Sequence, residues 1–137
     1  MIQFKNFAAA FGERKVLQDL TINLPANSIT AIIGASGSGK TTMLRTLCRM
    51  NDRIINFRIE GSVLVDGVDI YQSNIDVYAL RRKVGIIFQK PCVFPQNIFD
   101  NVIFGLRKRM PRREYPDIVE KVLREVFLWE EVKDRFG

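Results

Sequence analysis

The chain has no histidine among its 137 residues. Imidazole acid–base catalysis, proton switching by histidine and His–metal ligation are thereby excluded within it. Cysteine is scarce. Cys48 and Cys92 stand far apart and form no metal-ligand spacing, which fits a reduced, cytoplasmic setting better than a disulfide framework. No apolar run approaches the length of a membrane span and no basic-then-apolar leader follows Met1, so neither a transmembrane helix nor secretion is expected. Internal repeats and low-complexity linkers are also missing. What remains is an ordinary globular composition, 47% hydrophobic and 26% charged, with a net charge of +6, enough for one domain with a core. Much of the excess charge sits in Arg107-Lys108-Arg109 and Arg112-Arg113. No aromatic residues are interleaved there, so this cluster reads as a solvated face and not as a nucleic-acid surface. An anionic ligand or a docking surface near anionic lipid would also suit the charge balance.

Glycine, by contrast, is concentrated where it has most consequence. Residues Gly34-Ala35-Ser36-Gly37-Ser38-Gly39-Lys40-Thr41 match the phosphate-binding pattern G-x-x-x-x-G-K-[ST]. Glycines let the backbone curl so that several N–H groups converge on one anion. Lys40 is placed to reach the outer phosphates and Thr41 to offer a hydroxyl to Mg²⁺. The flanks agree. Residues 28–33 are short, apolar and β-branched and predict a buried strand. Met43, Leu44, Leu47 and Met50 recur at helical spacing. A helix starting there directs its positive end at the phosphates.

The rest of the chain divides coarsely. Residues 2–11 and 16–24 predict two strands around a turn at Gly12-Glu13-Arg14. Residues 60–67 predict a strand ended by Asp66-Gly67, a strong turn signal. Residues 76–82 predict a short helix capped by Asp76, residues 84–88 a buried strand, and residues 97–107 a helix. From Pro111 onward, Ile118, Val119, Val122, Leu123, Val126 and Phe127 predict an apolar helical stripe that packs on its own domain, with Asp117/Lys121 and Glu120/Arg124 as outer ion pairs.

The stretch Gly85-Ile86-Ile87-Phe88-Gln89-Lys90-Pro91 follows Lys40 by about fifty residues. Here, and in residues 94–102, the chain resembles the ATP-binding subunit of ABC transporters. Residues 45–52, 60–71 and 84–91 resemble its phosphate-importing branch, and the likeness runs from Ile2 to Gly137. The resemblance implies an α/β fold, a P-loop NTPase of the ABC type with an antiparallel β subdomain. Its expected parts are strands over 1–33, loop and helix over 34–50, strands and Q-loop over 51–96, and the start of a helical subdomain over 97–137. It implies ATP and Mg²⁺ as cofactors. Phe11 would stack on adenine and Val16 would pack beside the ribose or base, although nothing in the spacing of Phe11 itself distinguishes that role from ordinary core. The loop residues Gly34, Ser36, Gly37, Ser38, Gly39, Lys40, Thr41 and Thr42 would hold the phosphates. Lys40 and Gln89 would serve catalysis, and Thr41 with Gln89 would hold the metal. Implied partners are two permease subunits and a second ATP-binding subunit, with no nucleic acid and no direct membrane insertion. The implied place is the cytoplasmic face of the inner membrane, as a peripheral protein.

The family also uses a Leu-Ser-Gly-Gly-Gln signature, an apolar strand ending in Asp-Glu and a later histidine. None occurs in this sequence. The expectation is therefore a chain cut before the signature motif, binding ATP but hydrolysing it negligibly, and aggregation-prone or paired with a second chain through its open sheet edges. Other readings stay open: a non-hydrolysing ATP-binding module, a small-molecule kinase using Arg107–Arg113 as a lid, or an ABC importer of amino acids or metals.

Overall fold

A computed structural model describes residues 1–106 and 111–135. They form two compact units, Met1–Ile87 and Phe88–Gly137.

The first unit is built on an antiparallel sheet of β1 (Ile2–Phe11), β2 (Arg14–Leu24), β3 (Phe57–Val65) and β4 (Val68–Asp69), in the order β2-β1-β3-β4. Strict alternation along β1 would send Phe4 and Phe7 to opposite faces. Both are completely buried in one core. A register irregularity between them resolves the conflict, with Asn6 at φ 47°. Thr21 pins this bulge: its hydroxyl accepts from the Asn6 N–H at 3.0 Å and donates to Asn6 Oδ1 at 3.2 Å. Opposite, Gly61 lies at φ +76°, packed directly against the Lys5 and Asn6 carbonyls. The Phe4 and Phe7 rings meet edge to face, 5.3 Å apart.

Helix α1 (Lys40–Leu47) lays Met43 and Leu47 on this core, and α2 (Val77–Lys83) adds Leu80. Asp76 caps α2 as expected, accepting from the N–H groups of Tyr78 and Ala79. Arg81 then reaches back to the carbonyls of Cys48 and Arg49, which follow α1. Asn51, buried, donates to the Thr42 carbonyl at 2.9 Å and to Thr46 Oγ1 at 3.1 Å. This polar tie holds the base of α1 directly behind the glycine loop.

Two expected strands are corrected. Residues 28–33 and 84–88 adopt no strand. Ile29 and Ile33 are essentially fully exposed, and so is Ile87. Only Ile32 and Val84 of these segments pack against the core. The physical reason is the one that makes such sequences apolar: a parallel strand is covered on both faces and needs neighbouring strands. Among the described residues none pairs with either segment.

The second unit packs α4 (Tyr115–Glu125) through Tyr115, Val119 and Leu123 against Ile103. Phe99 of α3 (Ile98–Val102) and Trp129 of α5 (Trp129–Val132) pack against the same cluster. The expected stripe is half right: Val122, Val126 and Phe127 are exposed. Arg124 pairs with Glu120 at 2.7 Å, whereas Lys121 lies 4.0 Å from Glu125 and not against Asp117. Helix α3, capped by Asn97, is shorter than the expected 97–107 and gives way to turns from Ile103. The basic residues Arg107, Lys108 and Arg109 lie outside the described residues, and Arg112 and Arg113 are exposed.

One surface corner carries a pH signature. The Lys83 ammonium and then the Met1 amine hold the Asp66 carboxyl down at about 2, from contacts of 2.7 and 2.6 Å. A depressed folded-state value stabilises the fold above the ordinary carboxylate range and loses that contribution as pH falls toward 2. The Asp66 carboxyl resonance is expected to titrate near pH 2, and Lys83→Ala should move that midpoint upward.

Candidate functional site

The P-loop is shaped by its contact with the sheet. Gly39 precedes α1 at φ +91°, and a Cβ there would lie 2.7 Å from Leu17 Cδ2 and 3.0 Å from the Val16 carbonyl oxygen. Any side chain would push the loop off β2, so glycine is required by crowding and by dihedral together. The Met43 N–H bonds to the Gly39 carbonyl at 2.9 Å. The N–H groups of the first turn before it have no partner inside the helix and point out of its end.

Lys40 folds back into the loop. Its ammonium donates to the carbonyls of Gly34 at 2.7 Å and Ala35 at 2.6 Å, and to Ser38 Oγ at 3.3 Å. The loop is thus closed around a fixed positive charge.

A hollow of about 560 Å³ opens between this loop and the hairpin. Residues 36–42 form one wall, and Phe11, Arg14 and Val16 form the other. The structure therefore gathers Phe11, Val16, Ser36, Gly37, Ser38, Gly39, Lys40, Thr41 and Thr42 in one place. Gly34 stands behind, contributing the carbonyl that accepts from Lys40. Gln89 is exposed and belongs to the second unit. Phe11 is half-buried: its ring centroid lies 5.1 Å from that of Phe57, and it also lines the hollow.

Arg14 was missed. Read as part of a turn, it is the first residue of β2, directly across from Phe11. Spacing alone did not reveal it: the β1–β2 register shifts between Ala9 and Ala10, opposite Val16, so alternation does not fix a shared face for Arg14 and Val16, and only the folded strand brings both to the hollow. Lys15, between them, lines a separate hollow with Ala8 and Ala10 instead.

The donor set fits a nucleotide polyphosphate with its cation. None of the residues lining the hollow is acidic, and it offers an ammonium, a guanidinium, outward N–H groups and the hydroxyls of Ser36, Ser38, Thr41 and Thr42. Among the described residues no group of three or more His, Cys, Asp or Glu could hold a metal alone. A hard cation here would share phosphate oxygens with one protein hydroxyl, the usual Mg²⁺ arrangement.

A glycine loop that enters a helix behind an antiparallel sheet defines a class, and comparison with known proteins specifies it. The model of the ABC transporter family matches residues 17–136. The chain belongs to the ABC transporter family, and with it to the P-loop NTPases. Among curated relatives it is 43% identical over 136 residues to the phosphate import ATP-binding protein PstB of Pseudoalteromonas translucida (strain TAC 125), covering 98% of this chain and 50% of that protein. The chain thus spans about half the length of the curated relative it matches. Among the described residues no helix is long and apolar enough to cross a membrane.

Proposed function

We propose that this chain is the nucleotide-gripping part of an ATP-binding subunit that energises inorganic phosphate import. The observation that carries the nucleotide reading is the hollow that joins Phe11 and Val16 to residues 36–42. The phosphate cargo rests on the relative's printed name and its identity to this chain. Cargo specificity would reside in the membrane subunits, so an importer of amino acids or metals remains the second reading.

In this reading the triphosphate lies in the curl of residues 34–41, with its charge met by Lys40 and by the N–H groups at the start of α1. The base rests on Phe11, which desolvates one face without reading its edges. Val16 packs beside the ribose. Thr41 and Gln89 would hold Mg²⁺, which when bound neutralises charge on the outer phosphates. Gln89 and the residues after it would meet the permease, and a second ATP-binding subunit would complete the assembly as a peripheral complex on the cytoplasmic membrane face.

Residues that polarise the attacking water are a separate matter. The 137 residues contain no histidine and no Asp-Glu pair. Phosphoryl transfer is mostly positioning and charge stabilisation, and that half of the machinery is not encoded here. The 137-residue chain is therefore expected to bind Mg-ATP and release phosphate at a negligible rate. A steady-state phosphate-release assay reads this directly; turnover of about 1 s⁻¹ or more, ordinary for an enzyme, would refute it.

A further inference from the structure

We propose that Arg14 is a nucleotide-contacting residue, and that it engages the base and ribose and not the phosphate tail. The proposal rests on the reading of the hollow as a nucleotide site, and adds to it a residue that sets how tightly the nucleoside end is held.

The placement follows from the strand. Val16 marks the phosphate end, because a Cβ at Gly39 would come within 3.0 Å of its carbonyl oxygen and 3.3 Å of its Cγ1. Arg14 lies two residues further along β2, about 7 Å away. Its cross-strand partner there is Phe11. Arg14 and Phe11 therefore form the end of the hollow remote from the glycine loop. Lys15 points to the other face, so Arg14 is the cation that β2 contributes to this side.

The side chain is available for the role. The Arg14 guanidinium makes no hydrogen bond or ion pair among the described residues, and no carboxylate lines the hollow to capture it. Phe11 offers only a π-face. A guanidinium beside it supplies what that ring lacks, a planar cation to lie against a purine and a fork of N–H donors for ribose hydroxyls or base acceptors. Lysine would supply the charge without the plane.

Calorimetric titration of the chain with Mg-ATP and with inorganic tripolyphosphate separates the possibilities. The titrations are made at about 0.5 M salt, where simple charge effects act over only about 4 Å. Arg14→Ala is expected to weaken ATP binding by about tenfold and to leave tripolyphosphate binding unchanged within about twofold. Arg14→Lys, which keeps the strand and the charge, should weaken ATP by a smaller factor. Unchanged ATP affinity in Arg14→Ala overturns the proposal while leaving the nucleotide site intact, and so does an equal loss for both ligands, which would place Arg14 on the phosphates. If the unsubstituted chain binds neither ligand, the nucleotide-site reading itself falls and Arg14 falls with it.

Discussion

Replacing Lys40 with alanine is expected to weaken Mg-ATP binding by roughly ten- to a hundredfold. Hydrogen bonds to a charged group contribute about 1.5–3 kcal/mol each, and about 1.4 kcal/mol is a factor of ten. The expected loss is that of about one such contact. The Lys40 ammonium is the common partner of the Gly34 and Ala35 carbonyls and of the Ser38 hydroxyl. Without it those oxygens keep their lone pairs beside an approaching anion. The fold should tolerate the change, because the side chains that anchor α1 to the sheet are Met43 and Leu47, one turn and more beyond. Affinity and stability are thus expected to separate: calorimetry shows the lost binding, and thermal unfolding shows a midpoint within a few degrees of the parent. Lys40→Arg keeps a positive charge of different shape and should recover only part of the affinity. Full affinity in Lys40→Ala would remove the loop from the account.

The largest expected effect on stability falls far from the loop in sequence, at Gly61. Its φ of +76° lies in the left-handed region, and a Cβ built there would collide with the carbonyls of Lys5 and Asn6. Those atoms belong to the bulge that lets Phe4 and Phe7 enter the same core. They are backbone, so relief requires β1 to move away from β3. Left-handed strain in a side-chain-bearing residue costs about 1–3 kcal/mol, and forcing a packed core apart costs about as much again. Gly61→Ala is therefore expected to destabilise the unit by about 3 kcal/mol, a large share of what a small domain possesses. Chemical denaturation measures it as a lowered midpoint. The loss should reach the site, because β1 carries Phe11 at its far end. A variant as stable as the parent would show that the bulge is not held as described.

How much of this was legible beforehand differs from element to element for physical reasons. The hairpin of β1 and β2, the Asp66-Gly67 turn and the Asp76 cap were all readable, since each depends on neighbours close in sequence. The glycine loop and α1 were readable because Gly39 and Lys40 act through backbone geometry that a fixed spacing encodes. Residues 28–33 and 84–88 were misread because their apolar character describes strands with neighbours that the described residues do not supply. The inward turn of both Phe4 and Phe7 was hidden, because only the cross-strand crowding at Gly61 and the Asn6–Thr21 clamp reveal the bulge. Arg14 was hidden behind the turn signal of Gly12 and by the register shift opposite Val16, which only the folded strand reveals. In the second unit the Val119–Leu123 seam followed the helical period, while Val122 and Phe127 did not find cover.

The central claim is that one nucleotide lies along the hollow from residues 36–42 to Phe11. Titrating the isotopically labelled chain with Mg-ATP, and following its amide and aromatic resonances, tests it residue by residue. The account predicts saturable shifts at the Gly37, Gly39, Lys40 and Thr41 amides together with the Phe11 ring, and none at Ala8, Gln18 or Glu60 around the other hollow of the sheet. Shifts confined to that second set, or no saturable shift at Gly39 and Lys40, would contradict it.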